Sequence, residues 1–390
     1  MVGQSRALRA PVPHNFVMDD VTACDVVVVG AGPAGAATAA ALCAAGVGRV
    51  VLVDLGRARP AVGESIPPQT RLLLDRLGAW TAFVADGHAP SLGNASAWGS
   101  DRLGYNDFIA NPHGSGWHLD RARFDALLVD HAVAAGATLV RPARVRSAEA
   151  RSAGGFVLVA GDHRLTARFV VDATGPGAAL ARMLGASRRV VHRLTCAVGI
   201  LRLGEDPPLT RLTLLEAAEY GWWYAARVPG DRAAVLVATD PPLLAARALH
   251  TPGGWADHLA RTRHLAPAVA GAVLEAGGVR VRSAPSTVID PVVGDGWMAV
   301  GDAAGAFDPL SSQGIHKAVA DGLDAGGAIV AWFQGRGDSL DRYAAAVAAR
   351  FEQYERTRAS FYGLERRWPD APFWRARQVA AGSVTTRRAP

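Results

Sequence analysis

Cysteine, lysine and long apolar runs are all scarce in this chain. Only Cys24, Cys43 and Cys196 occur among 390 residues. They are far apart and lack metal-ligand spacing. This argues against a disulfide framework or a metal site and suits a reduced, cytoplasmic setting. Lys317 is the only lysine, so arginine supplies nearly all the positive charge behind a formal net charge of +6. The arginines are scattered, with only short clusters such as "RRWP", so no basic stripe for nucleic acid is present. No run reaches the roughly 18 apolar residues that a membrane helix needs. No membrane association and no nucleic-acid partner are expected. Residues 1–23 have no apolar signal core and read as a disordered leader. The sequence says nothing about oligomeric state.

Hydrophobic residues make up 50% of the chain, and glycine is abundant. That composition suits helices packed closely on a sheet. The most informative run is "CDVVVVGAGPAGAATAAALCAAGVGRVVLVDLGR". Val26 to Val29 read as a central parallel strand, buried on both faces. Gly30, Gly32 and Gly35 form G-x-G-x-x-G at a strand-to-helix turn. The first glycine permits the tight turn, the second lets backbone approach a pyrophosphate, and the third lets helix and sheet pack closely. A second strand, Val50 to Val53, ends at Asp54, near the spacing at which an acid meets ribose hydroxyls. The order of strand, helix, strand and acid points to a bound nucleotide without saying which.

A second motif narrows the choice. "WMAVGDAAG" ends a strand, and "QGIHKAVADGLDAGGAIVAWF" reads as a helix beyond it. An acid at a strand end can accept hydrogen bonds from a polyol. Amides at a helix start can stabilise negative charge on an aromatic ring. This pairing resembles the FAD-dependent flavoproteins of the p-hydroxybenzoate hydroxylase superfamily. The resemblance gives Asp302 a role at the FAD ribityl chain, and the amides of Gly314 and Ile315 a role at the flavin edge. "VGESIPPQTRLLLDRLG", "WHLDRARFDALL", "VVDATGPGAALARMLG", "GWWYAARVPG" and "FYGLERRWPDAPFWRAR" are similar to the halogenase and geranylgeranyl-reductase branch. In that branch an arginine matching Arg121 lies near the FAD pyrophosphate. The alternative is that Arg121 caps or salt-bridges the helix it opens. The resemblance implies FAD held non-covalently. It leaves the reductant as NAD(P)H or a partner flavin reductase, because no second nicotinamide-binding unit is present.

The expected fold is α/β, a Rossmann-like FAD-binding domain interrupted by a substrate domain with an antiparallel sheet, plus C-terminal helices. The FAD-binding pieces are placed at 24–85, 115–185 and 280–345. Residues 86–114 and 186–279 form the substrate domain, and 346–390 the helical end. A Pro-Gly-Asp turn inside 186–245 signals a hairpin. Residues 253–276 read as helical. Tyr343, Phe351, Tyr354, Phe361 and Tyr362 recur near helical spacing, as residues packing against the body of the protein would.

Fold resemblance alone does not choose the flavin chemistry. Halogenases of this branch use a lysine on the substrate side, and residues 79–101 contain none. Their "PLESTG" motif is "PLSSQG" here, with Ser311 in place of the glutamate and Gln313 in place of the threonine. The Phe-Pro that ends the aromatic motif of the reductases is replaced by Val228-Pro229. The motifs "SAWGSD", "NPHGSGWHLDR", "DPLSSQGI" and "RRWPDAPFW" look most like the flavoproteins that mature quinone-cofactor amine oxidases and dehydrogenases. Those hydroxylate a tryptophan side chain within a partner polypeptide. Hence the expectation is a monooxygenase acting on an electron-rich aromatic. A small-molecule aromatic hydroxylase, a halogenase or C=C reductase, and a non-catalytic flavin-binding module remain alternatives.

Glu64 and Ser65 of "GES" are candidates beside the flavin, or an ordinary helix cap. His316 is a candidate base, though an outer helix face is its plainer reading. Asp308 is placed to orient substrate or cap its loop. Trp222, Trp223 and Tyr224 alternate in direction on a strand, so one set faces the substrate and the other the core. Trp98 is a further substrate candidate. His118 reads as structural, and Lys317 as an ordinary solvent or phosphate contact.

Overall fold

The computed structural model describes residues 21–56 and 65–384. Five strands form a parallel sheet in the order Trp297–Ala299, His163–Asp172, Thr22–Val29, Val50–Val53 and Thr138–Val140. Val26, Val27 and Val28 lie at its centre and are fully buried, which explains their unbroken apolar run. The antiparallel strands Val145–Ala150 and Phe156–Ala160 extend from one side of His163–Asp172.

Helices Pro33–Ala44 and Gly314–Phe333 pack at close range because small residues meet there. An added Cβ on Gly322 would stand 2.6 Å from the Ala34 carbonyl oxygen, and one on Gly326 would stand 2.7 Å from the Ala41 Cβ. Each of these helices follows a glycine motif, so their packing sets the two motifs side by side.

The second large sheet is mostly antiparallel. Strands Thr195–Arg202, Arg232–Thr239, Gly221–Val228 and Leu212–Ala218 are neighbours in that order. Gly230 and Asp231 both adopt positive φ in the Pro-Gly-Asp turn that joins two of them. Gly93–Ala97 adds parallel to Leu212–Ala218, and Gly104–Asp107 adds beyond it. Side chains alternate across this sheet. Trp223, Val235 and Val237 enter one core, with Trp255. Trp222, Tyr224 and Leu236 enter the other, with Tyr362, Phe373 and Trp374.

Two sequence expectations are corrected here, at residues 280–283 and within 253–276. Residues 280–283, expected with the nucleotide-binding pieces, pair with Thr195–Val198 in the antiparallel sheet. Strand Ser187–His192 leaves that sheet and pairs with Ser286–Asp290. Within 253–276 only Pro252–Leu259 and Leu265–Ala268 are helical, and Val273–Leu274 pairs as a strand. At the C-terminal end, helix Ser339–Leu364 buries Tyr343, Tyr354 and Tyr362 against the body and leaves Phe361 exposed. Among the described residues, no helix is long and apolar enough to cross a membrane.

Candidate active site

The two glycine motifs and the antiparallel sheet meet around one cavity of about 480 Å³. Pro33, Arg121, Asp302, Gly314 and Ile315 line one side. Cys196, Trp222, Tyr224 and Leu236 line the other, with Ser65, Phe307 and Asp308 between. That size lies within the usual range for ligand sites.

The first motif is built for close backbone approach. Gly30 has φ of 108°, and an added Cβ would stand 2.2 Å from the Ala173 carbonyl oxygen. An added Cβ on Gly35 would stand 1.8 Å from the Gly30 carbonyl oxygen. Gly32 caps helix Pro33–Ala44 without any side-chain hydrogen bond, so the first-turn amides are left open to an anion. Asp54 stands at the end of its strand and accepts from the Gly56 amide at 2.9 Å; it does not line the cavity. Arg121 opens helix Arg121–Ala134, pairs with Asp125 at 3.2 Å and lines the cavity. At the second motif, an added Cβ on Gly314 would meet nothing within 4 Å. Helix Gly314–Phe333 likewise begins without a side-chain cap.

The aromatic candidates separate. Trp222 and Tyr224 line the cavity. Trp223 does not: it is fully buried in the opposite core, with its ring 5.5 Å from that of Trp255. Strand alternation makes this unavoidable once Trp222 faces the cavity. Trp98 is also absent from the wall. It donates to the Phe361 carbonyl oxygen at 2.7 Å, and its ring lies edge-on to Trp374 at 5.3 Å.

The polar candidates are tied into networks. Glu64 lies outside the described residues. Ser65 Oγ is 2.6 Å from the Tyr224 hydroxyl and 3.4 Å from Thr213 Oγ1. Thr213 Oγ1 is in turn 2.9 Å from His118 Nε2. Asp308 is buried, accepts from Tyr362 OH at 2.8 Å and Arg358 Nε at 3.2 Å, and caps its loop through the Leu310 amide. Burial and the Asp308 charge raise the Tyr362 hydroxyl well above its ordinary value. They raise the Cys196 thiol too, which keeps that cavity residue protonated.

Two expectations on helix Gly314–Phe333 are overturned. His316 is half-buried against Thr70, with Nδ1 3.1 Å from Thr70 Oγ1, and neither lines the cavity nor sits on an open face. Burial lowers its pKa. Lys317 is buried rather than solvated. Its Nζ donates to Asp321 at 2.7 Å and to the Gly301 carbonyl at 2.9 Å. The polyol-side loop is thus stapled to the helix by the chain's one lysine. Sequence reasoning missed this role, although Asp321 stands four residues further along the helix.

His118 is fully buried, and burial lowers its pKa from 6.5 to about 4. The folded state therefore prefers the neutral ring. The stability this contributes is present above pH 6.5 and lost as pH falls toward 4. The loss expected across that window is about 3 kcal/mol. Urea unfolding of wild type and His118→Gln at both pH values checks this. Equal pH sensitivity in the two proteins would refute it.

The "FAD binding domain" family model matches residues 23–358. The chain belongs to this family of FAD-binding flavoproteins. It is similar to the putative FAD-dependent oxidoreductase LodB of Marinomonas mediterranea, with 30% identity over 361 residues, 91% of this chain and 97% of that protein. Among solved structures it is similar to CmlS, a flavin-dependent halogenase, with a TM-score of 0.82 and 26% identity over 94% of this chain and 70% of that one. It is also similar to QhpG, a peptidyl tryptophan dihydroxylase essential for tryptophylquinone cofactor biogenesis. Here the TM-score is 0.74, with 28% identity over 92% of this chain and 79% of that one.

The protein is an FAD-dependent oxidoreductase with non-covalently held FAD. The residues present fit that cofactor: the uncapped helix start at Pro33, which follows the tight turn at Gly30, and the open backbone at Gly314 line one cavity together with Asp302. Asp302→Ala should weaken FAD binding about 10- to 100-fold, the value of a hydrogen bond to a charged group. Titration of apoprotein followed by flavin fluorescence measures this. Unchanged affinity would remove Asp302 from the FAD site.

Proposed function

We propose that this enzyme hydroxylates an electron-rich aromatic ring, namely a tryptophan side chain carried by a partner polypeptide. The observation that carries this over halogenation is the position of Lys317. The only lysine in the chain is consumed by Asp321 and Gly301 and is absent from the cavity wall. No amine is left there to carry an oxidised halogen. The likeness to QhpG over nearly the whole chain supports a peptidyl tryptophan as the substrate class.

Bound FAD would supply the two electrons with which one atom of O₂ enters the ring and the other leaves as water; NAD(P)H or a reductase would replace them. The chain's own residues provide the rest. Trp222 and Tyr224 offer flat surfaces against which an indole can be held. Leu236, Phe307 and Cys196 keep the cavity wall largely apolar, which limits water at the reacting carbon. The Ser65 hydroxyl is hydrogen-bonded to the Tyr224 hydroxyl at 2.6 Å and holds that ring in place at the cavity wall. The uncapped start of helix Gly314–Phe333 favours negative charge on the cofactor side.

The likeness to CmlS favours halogenation as the second reading. One experiment separates the two. FAD-loaded protein is given NADPH or a flavin reductase, O₂, bromide, and either a tryptophan-containing peptide or free tryptophan. Mass spectrometry should find oxygen added to the peptide, no bromine, and little change in free tryptophan. Robust bromination would replace this reading with the halogenase one. Faster turnover of a free small aromatic would replace it with a small-molecule hydroxylase.

A further inference from the structure

One wall of the cavity ends in an exposed strand edge. Strand Arg280–Ser283 pairs with Thr195–Val198 and with no other described strand. The Ala284 amide donates to the Leu194 carbonyl at 2.9 Å. Antiparallel alternation then turns the backbone groups of Arg280 and Arg282 toward the sheet and those of Val281 and Ser283 away from it. The bond from Thr195 Oγ1 to the Arg282 carbonyl agrees with that phase. Val281 is 41% exposed, and Arg280 and Ser283 are exposed beside it.

Register also places the side chains. Arg282 lies opposite Cys196, and Arg280 opposite Val198. Cys196 and Val198 belong to the core that includes Trp222 and Tyr224. Both arginines therefore share the cavity face of the sheet, and Arg282, Ser283, Ala284 and Pro285 line the cavity itself. An open edge often carries charges that deter pairing. Two arginines on one face deter a basic strand and attract an acidic one.

We propose that the Arg280–Ser283 edge is the docking strand for an extended, acidic segment of the partner polypeptide. That segment adds to the sheet through the outward groups of Val281 and Ser283, its amide taking the place of the Arg282 guanidinium that donates to the Val281 carbonyl at 3.0 Å and freeing that guanidinium for a carboxylate. A residue opposite Arg282 on the added strand shares its face, so an aromatic side chain there is delivered into the cavity. Main-chain bonds supply affinity, and the two arginines select the flanking carboxylates. The proposal rests on the polypeptide-substrate reading above.

The test uses the FAD-loaded full chain and a fluorescein-labelled Glu/Thr peptide with one central tryptophan, followed by anisotropy. Val281→Pro removes an outward amide without breaking a bond to Thr195–Val198, and proline is tolerated at such an edge position. It should weaken peptide binding about tenfold or more, a loss of about 1.4 kcal/mol or more, while FAD content and melting temperature stay as in wild type. Arg280→Glu combined with Arg282→Glu should weaken it further. N-methylating alternate amides of the peptide should mimic Val281→Pro. No binding by wild type, or equal binding by wild type and Val281→Pro, overturns the docking strand. The hydroxylation reading fails separately, if the peptide binds through this edge and is never oxygenated. Oxygenation at equal rates by wild type and Val281→Pro would overturn the edge and spare that reading.

Discussion

Gly322→Leu is expected to abolish flavin retention and to leave a protein that unfolds far below the wild-type temperature. An added Cβ at this position would stand 2.6 Å from the Ala34 carbonyl oxygen, 2.7 Å from the Ala37 Cβ and 3.0 Å from the Thr38 amide. Two of these three atoms are backbone, and the Ala34 carbonyl is also held by Thr38 Oγ1 at 2.8 Å. They cannot move without moving helix Pro33–Ala44, whose start faces the cavity. Overpacking costs about 1–3 kcal/mol where side chains can adjust, and more where only backbone can. Gly327 provides the control. It is exposed on the same helix, and an added Cβ there meets nothing within 4 Å. Gly327→Ala should stabilise by up to about 1 kcal/mol through helix propensity alone. Flavin content after gel filtration and thermal melting measure both variants. A well-folded, flavin-loaded Gly322→Leu protein would contradict the packing described here.

Asp308→Ala is expected to cost about 3–5 kcal/mol of stability, because it strands a buried cation. Arg358 is 6% exposed and pairs with Asp308, which is 2% exposed. Tyr362 would lose its acceptor as well, and Tyr362 OH in turn accepts from Trp222 Nε1 at 3.0 Å. The damage therefore reaches the cavity wall through Trp222. Asp308→Asn keeps the shape and should lose less. Urea unfolding of the FAD-loaded protein gives the stabilities, and turnover is measured in parallel. If Asp308→Asn keeps wild-type stability yet loses all turnover, Asp308 acts on substrate and the structural account fails.

These two cases differ in how far they could be read from the chain. The first glycine motif was legible because its parts are contiguous. Strand, turn and helix are local, and only glycine tolerates Gly30's φ and its contact with Ala173. Gly322 was harder. Its helix was evident, but its partner residues lie near position 37, and nothing local announces that contact. Asp308 was harder still. Its partners Arg358 and Tyr362 lie 50 and 54 residues away on another helix.

By itself the sequence determined the nucleotide-binding architecture, the flavoprotein family and the alternation of Trp222, Trp223 and Tyr224. The architecture and the alternation depend on local periodicity and on backbone conformations that few residues can adopt; the family rests on the resemblance of contiguous motifs. Only the tertiary structure decided which face of that strand meets the cavity, because helix Pro252–Leu259 closes over the Trp223 face through Trp255, while the nucleotide motifs come up against the Trp222 and Tyr224 face. It also decided that Lys317 is sequestered, since a Lys and Asp four residues apart read equally well as an exposed pair. Whether such a pair is buried depends on what packs over it, and here Gly301 and Phe307 do so from a separate loop. Burial depends on surfaces distant in sequence, and so do the charge states and contacts that follow from it.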